Sequence, residues 1–325
     1  SMNHKDFINP QAADRLLPFW IWNGIIEENE LVRQIREMSE KGMGGFCLAT
    51  GPGLKTPHLS HVWFERVQLA LDTAAEYGLQ VWIHDEYRYP GGIGSTHITL
   101  DHPQFVAQQL TFRETVVQGG QQVDLTLPWA PVLRALAVPL RRDRCLWEDT
   151  QDISAYLGAN HQSHALRENA ALPAYHPYTY ASIDPMRLLY WKAPGGRWRV
   201  LVFLQEPSAT TDWPGQHLDR LNPESVRTLH QTAQQPYVEQ FSNYTGKTLK
   251  GILTGETRSP NDRLPWSPVL SEYFKTRNGY DLLTCLPALI TNFGPNTARI
   301  RYDYFQTLGE LQQRHDSARS AEWCE

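Results

Sequence analysis

The sequence predicts an α/β fold made of parallel strand–helix units and interrupted by a β-rich insertion. Three observations carry that expectation. Short apolar runs alternate with amphipathic stretches through the first third of the chain. The third apolar run delivers a carboxylate pair, Asp85-Glu86, and then breaks at Pro90-Gly91-Gly92. After about Asp101 the pattern changes to alternation rich in Thr, Val and Gln. Strand and helix periods in strict alternation favour a parallel sheet, because a parallel neighbour is reached only through a crossover that a helix fills.

Taken in order, Phe19-Trp20-Ile21-Trp22 is a short strand closing at Asn23-Gly24. Residues 27–42 read as a helix, with Leu31, Ile35 and Met38 on one face and Gly42 ending it. Gly44-Gly45-Phe46-Cys47-Leu48-Ala49-Thr50 is the second strand, and Gly51-Pro52-Gly53 opens its loop. Residues 61–77 form the second helix, striped by Val67, Leu71 and Ala74 and closed by Gly78. The third strand runs into Asp85-Glu86. Residues 105–208 read as the insertion: 105–127 alternates, 133–140 is a strand, and 188–191 with 198–204 reads as a hairpin about Ala193-Pro194-Gly195-Gly196. The frame then resumes. Asn222 caps a helix with Pro223 in its first turn, running to about Tyr244, and the strand 249–254 ends at Gly255-Glu256-Thr257-Arg258. Helical stretches at 267–278 and 298–324 follow, giving a division at 1–104, 105–208 and 209–325 with four strands and no fifth.

Bulk properties narrow the function. With 325 residues and a formal net charge of -5, nothing favours nucleic acid or a membrane surface as partner. Eleven Trp and fourteen Tyr suit a large core, which is the default, or a sugar-binding face. Cys47, Cys145, Cys285 and Cys324 lie far apart without a Cys-x-x-Cys, so neither a zinc site nor a disulfide framework is expected. Ser1-Met2-Asn3-His4-Lys5 lacks the apolar stretch of a signal peptide, and Ser1 before Met2 looks like a tag remnant. No apolar run is long enough to span a bilayer, so a soluble, reduced, cytoplasmic protein is expected. No nucleotide-binding fingerprint asks for an organic cofactor.

Carboxylates at the carboxyl ends of parallel strands mark catalytic sites in barrel and doubly wound folds. Asp85 and Glu86 fit that reading, and they also fit a plain loop cap; the pair alone leaves both open. Glu256 is a second carboxylate at a strand end. Arg88 and Arg258 follow these carboxylates and serve first as loop-holding salt bridges, second as substrate contacts. Trp22 is the candidate sugar platform against core packing, and Asn23 is a hydroxyl ligand against an ordinary Asn-Gly turn. Lys55 and Thr56 occupy the second-strand loop. His161, His164 and His176 have no metal-ligand spacing and read as surface residues.

Several motifs, in order, resemble the glycoside hydrolases of family 106 (α-L-rhamnosidases) and their relatives. They are Pro18-Phe19-Trp20-Ile21-Trp22-Asn23-Gly24, Gly53-Leu54-Lys55-Thr56-Pro57 and His84-Asp85-Glu86-Tyr87-Arg88-Tyr89-Pro90-Gly91-Gly92. Leu221-Asn222-Pro223-Glu224, Gly246-Lys247-Thr248-Leu249-Lys250-Gly251 and Tyr280-Asp281-Leu282-Leu283 complete the set. The resemblance implies a (β/α)8 TIM-type barrel, of which this chain would hold about four βα units. It also implies two carboxylates acting on a glycosidic bond, with Glu256 as general acid, its pKa raised by partial burial against Trp266 or Tyr273. For Asp85 and Glu86 it implies substrate or calcium binding first and a catalytic part second. The chain departs from the relatives where Thr254-Gly255-Glu256-Thr257 replaces Thr-Asp-Glu-Pro. It also ends near Trp323-Cys324-Glu325, where a fifth strand is expected, and residues 312–322 are poor in apolar side chains. A half-barrel exposes the open edges of its outer strands, so a homo-oligomer or another chain covering them is expected. The expected activity is hydrolysis of an α-L-rhamnoside or related glycan. The alternatives are a silent half-barrel that binds carbohydrate or assembles, and a truncated fragment.

Overall fold

Short apolar runs that each bury one face against helices make the first of two compact units in this computed structural model. The structure describes residues 8–85, 96–160, 165–168, 178–181, 186–208, 217–254, 264–318 and Ala321. The first unit gathers Ser1–Ala107, Ser208–Asn261 and Leu311–Glu325; the second joins Gln108–Pro207 with Asp262–Glu310.

In the first unit, strands Phe19–Gly24, Gly45–Leu54, Gln80–His84 and Leu249–Leu253 form a four-stranded sheet in sequential order, every pair parallel. The helix Glu28–Glu40 buries Leu31, Ile35 and Met38, the stripe expected from spacing alone. The helix His61–Glu76 buries Val67, Leu71 and Ala74 together with Trp63 and Phe64, and the Ser60 hydroxyl caps it by accepting from the Trp63 amide at 3.2 Å. Both helices, with Tyr237 and Phe241, pack on the sheet face that carries Trp22, Phe46, Leu48, Val81 and Ile83. Trp20, Trp22 and Trp63 meet edge to face, with ring centroids 5.4 Å and 5.1 Å apart in turn. Gly45 is required by close approach: a Cβ there would stand 1.9 Å from the Gln80 carbonyl oxygen of the neighbouring strand.

The opposite sheet face is only partly covered. Phe19, Ile21 and Leu253 stay 40%, 39% and 40% exposed. Residues of a strand point alternately to its two faces, so they are the out-of-phase partners of Trp20, Trp22 and Ile252, which pack with the helices.

One predicted helix is broken. In place of a continuous helix from Asn222 to about Tyr244, the chain forms an α-helix at Pro223–Leu229, a π-helical turn at His230–Gln234 and a second α-helix at Gln235–Gln240. Pro236 supplies the cause, since it brings no amide hydrogen and its ring clashes with the preceding turn. The turn widens, and the Gln235 amide donates to the His230 carbonyl five residues back. Asn222 caps the start as expected, accepting from the Glu224 amide at 3.0 Å.

Two antiparallel sheets carry the core of the second unit, beside a two-stranded antiparallel ribbon of Ala165–Glu168 with Tyr178–Ala181. The larger runs Leu264–Trp266, Gln108–Gln118, Arg197–Pro207, Val132–Arg141, Arg144–Cys145, with Gln151–Asp152 also paired to Val132–Arg141. The smaller runs Gln122–Leu127, Met186–Lys192, Leu157–Asn160. The expected hairpin of 188–191 with 198–204 does not form: Met186–Lys192 pairs within the smaller sheet and Arg197–Pro207 within the larger. Both segments contribute to one apolar core, Leu189 and Trp191 from one sheet, Trp198, Val200, Val202 and Leu204 from the other. Burying both sets against each other requires the strands to lie on opposite sides of that core, so Ala193-Pro194-Gly195-Gly196 becomes a corner between sheets. It is tied to the parallel corner at Gly119-Gly120 through Gly120 N to Ala193 O at 2.8 Å and Ala193 N to Gln121 O at 3.0 Å.

The fully buried Phe46 links the second strand to both helices. Phe46→Ala is expected to lower stability in urea denaturation by about 3–5 kcal/mol, while Ile21→Ala, on the half-exposed face, costs much less. Equal losses would contradict the one-sided core.

Candidate functional site

The carboxyl end of the third strand carries the candidate site. Its last residue, His84, pairs with Leu253 of the fourth strand, and the following Asp85 amide donates to the Leu253 carbonyl at 3.2 Å. This backbone tie turns the Asp85 side chain into the interior, where it is 4% exposed. A carboxylate so buried requires donors, and two reach the same oxygen. Gln234 Nε2 donates to Asp85 Oδ2, and Thr254 Oγ1 donates to it at 3.2 Å. Asp85 Oδ1 is also buried, with no hydrogen-bond partner among the described residues.

The π-helical turn is what presents Gln234. Within it the Gln234 Oε1 meets His230 Nδ1, so His230, Gln234 and Asp85 form one buried chain. A carboxylate only accepts, so the Gln234 amide nitrogen faces Asp85 and its oxygen faces His230. That arrangement requires the His230 proton on Nδ1. One turn further on, Tyr237 is buried, and its hydroxyl accepts from Trp63 Nε1 at 2.8 Å. Burial raises the Tyr237 pKa well above the usual phenol range, the Trp63 hydrogen bond opposes that rise, and the Asp85 charge adds to it. Tyr237 is therefore neutral beside the carboxylate.

The other predicted site residues separate. Trp22 is 2% exposed, its ring enclosed by Trp20 and Trp63 in the helix-facing core. A ring packed that way offers no stacking face, and the expectation of a sugar platform at Trp22 is corrected to a core role. Asn23 and Lys55 are exposed at the ends of the first and second strands. The Lys55 and Thr56 amides both donate to the Gly24 carbonyl, at 2.7 Å and 3.3 Å, and Thr56 Oγ1 accepts from the Ile26 amide at 3.0 Å. The Lys55-Thr56 backbone thus clamps the two loops together. Glu86, Arg88, Glu256 and Arg258 lie outside the described residues.

His230, Gln234 and Thr254 were not singled out from sequence. The available signal was a polar pair at i,i+4 just ahead of Pro236 in a helical pattern, which marks a local distortion. Thr254 stood at the end of the fourth strand, overshadowed by Glu256.

Calcium takes six to eight oxygen ligands. Among the described residues no group of three or more His, Cys, Asp or Glu is placed to hold a metal ion. Asp85 Oδ1 is a single hard donor among the described residues, and Glu86 and Glu256 lie outside them. What the arrangement holds is a fixed acceptor: a buried carboxylate oxygen, oriented by two donors on its twin and without a partner among the described residues. Among the described residues no helix is long and apolar enough to cross a membrane.

The chain superposes on a solved rhamnosidase from Novosphingobium sp. PP1Y with a TM-score of 0.57 and 17% identity, covering 98% of this chain and 46% of that one. At that identity the likeness is one of fold. In sequence the chain is 21% identical, over 348 aligned positions, to a protein of Formosa agariphila named "Putative beta-glucuronidase", covering 98% of this chain and 29% of that protein. The chain thus spans less than half the length of either relative. No family model matches it.

Removing the Gln234 donor leaves the Asp85 charge supported by Thr254 alone. Gln234→Leu is expected to lower unfolding free energy by about 1.5–3 kcal/mol, and Thr254→Val by less. Denaturant midpoints check this, and an unchanged midpoint for Gln234→Leu rules out the buried chain as drawn.

Proposed function

We propose that this chain is part of a glycoside hydrolase whose site lies at the carboxyl ends of the four parallel strands, within a TIM-type (β/α)8 barrel of which these strands are the first half. The observation that carries the proposal is Asp85: a buried strand-end carboxylate with one oxygen held by Gln234 and Thr254 and the other without a partner among the described residues. Parallel barrels place catalysis at this end of their strands. The names of the two relatives support the same class of reaction.

In this reading Glu256, two residues beyond Thr254, is the general acid. It gives its proton to the leaving glycosidic oxygen as the bond to the anomeric carbon breaks. Either water bonds to that carbon and yields its proton to a second carboxylate, or that carboxylate bonds to the carbon first and water then displaces it, yielding its proton to Glu256. Asp85 accepts a hydrogen bond from a sugar hydroxyl through Oδ1 and so binds and orients the ring. Glu86, Arg88, Arg258, Asn23 and Lys55 are candidate contacts around the same sugar. The motif resemblance and the rhamnosidase fold favour an α-L-rhamnoside as substrate.

A second reading is supported by the half-exposed apolar face of Phe19, Ile21 and Leu253. There the chain binds carbohydrate without turnover, and a second copy or another chain covers that face and completes the barrel.

A panel of aryl glycosides, led by the α-L-rhamnoside and the β-glucuronide, separates the two. Turnover is expected, with Glu256→Gln lowering kcat by roughly 10²–10⁴-fold and Asp85→Asn lowering kcat/KM by about tenfold. Undiminished turnover in Glu256→Gln sinks the assignment of the acid. No turnover on any sugar, with a dimer in light scattering, favours the second reading.

A further inference from the structure

The second unit holds a cavity of about 420 Å³ that the proposed chemistry does not use, lined by Tyr280, Cys285, Phe293, Asn296, Arg299 and Ile300 among others. That volume is within the range of small-molecule sites. Its lining mixes apolar with polar side chains, Asn278 among them, and the Asp281 and Asp303 carboxylates stand close to it. Cys285 is buried, and burial pushes its thiol up to about 12, with the Asp281 and Asp303 charges adding to the effect. Burial and the bond to Asp303 likewise raise Tyr280, which donates its proton to Asp303 Oδ2 at 2.8 Å.

Arg299 differs from the arginines near it. Arg277 donates through both terminal nitrogens, to Glu310 at 2.6 Å and Asn278 at 2.8 Å. Arg301 donates to the Ala288 and Thr291 carbonyls at 2.7 Å and 3.1 Å. Arg299 meets Asp303 Oδ2 only through Nε, at 3.6 Å, and that oxygen already accepts from Tyr280. Its guanidinium stands over the Tyr280 ring, 5.8 Å from the centroid, and its side chain is 70% exposed. The two terminal nitrogens therefore have no hydrogen-bond partner among the described residues. Beside it, the Asn296 carbonyl accepts from the Ile300 amide at 3.0 Å at the start of the helix Thr297–Gln312, whose positive end adds charge of the same sign.

We propose that this cavity binds a carboxylate-bearing pyranose, a hexuronate, with the free fork of Arg299 on the carboxylate and the sugar ring against Tyr280 and Phe293. A planar guanidinium with two free parallel donors matches a carboxylate bidentately, a geometry that a neutral sugar hydroxyl does not match. The carboxylate follows from the cavity; that a sugar carries it rests on the glycan-directed reading above.

Calorimetric titration of the full chain with sodium glucuronate, methyl α-L-rhamnoside and sodium acetate tests this. Saturable glucuronate binding is expected, weakened at least ~10-fold by Arg299→Met, with far weaker binding of the other two. Arg299 is exposed, so the variant is expected to keep the wild-type circular dichroism. Asp85→Asn and Glu256→Gln are expected to bind glucuronate as wild type does. Glucuronate binding lost in those two but kept in Arg299→Met moves the sugar to the strand-end site and overturns the proposal. So does an absence of saturable binding, even where glycoside turnover is found. Acetate binding as tightly as glucuronate overturns the sugar and leaves a simple anion site.

Discussion

A carboxylate held below the surface is the constraint around which the first unit is arranged. Asp85 is placed inside by strand pairing to Leu253, and an ion in that position is stable only while donors surround it. Thr254 provides one from the neighbouring strand; Gln234 provides another from a helix far away in sequence. Reaching Asp85 in this way uses the widened turn that Pro236 imposes, so a residue unfavourable within a helix becomes part of the means of presenting the site. The carboxylate fixes which end of the Gln234 amide faces it, and that amide in turn fixes the His230 tautomer. Strand order, helix distortion and side-chain orientation are thus linked through one oxygen atom.

The sheet that carries this carboxylate has two unlike faces. On one, the helices close over Trp22, Phe46, Leu48, Val81 and Ile83 in a continuous core. On the other, Phe19, Ile21 and Leu253 remain half exposed. Parallel sheets are ordinarily covered on both faces. The apolar character of the open face is therefore in keeping with further structure lying against it, as a barrel interior provides. The backbone clamp of Lys55 and Thr56 onto Gly24 fixes the first two loops at the same end as Asp85. Rigid loops at that end suit a site that must hold a ligand in one orientation.

The second unit solves a different packing problem. Two antiparallel sheets share an apolar interior that includes Trp191 and Trp198, whose ring centroids lie 5.7 Å apart. The corners at Gly119-Gly120 and Ala193–Gly196 carry the chain from one sheet to the other side by side. A Cβ on Gly119 would stand 2.6 Å from the Pro194 carbonyl oxygen, so the approach of these corners depends on glycine.

The parallel strands and their helices were legible in the sequence because their signals are local. The stripe Leu31, Ile35, Met38, the glycine stops and the run leading to Asp85 each depend only on residues within a few turns of one another. Glu256, Glu86, Arg88 and Arg258 were chosen by their position after strands, and they lie outside the described residues. Three things were decided only by tertiary structure. The segments 188–191 and 198–204 have hairpin spacing, yet they belong to separate sheets because each buries its apolar face from an opposite side of one core. Trp22 has the composition of a sugar platform, but Trp20 from its own strand and Trp63 from a helix enclose its ring. Gln234 and His230 lie roughly halfway along the chain from Asp85, and no periodicity links a helical glutamine to a strand-end aspartate. Their meeting follows from the cost of leaving a buried charge without donors, which acts through space and is not written in sequence spacing.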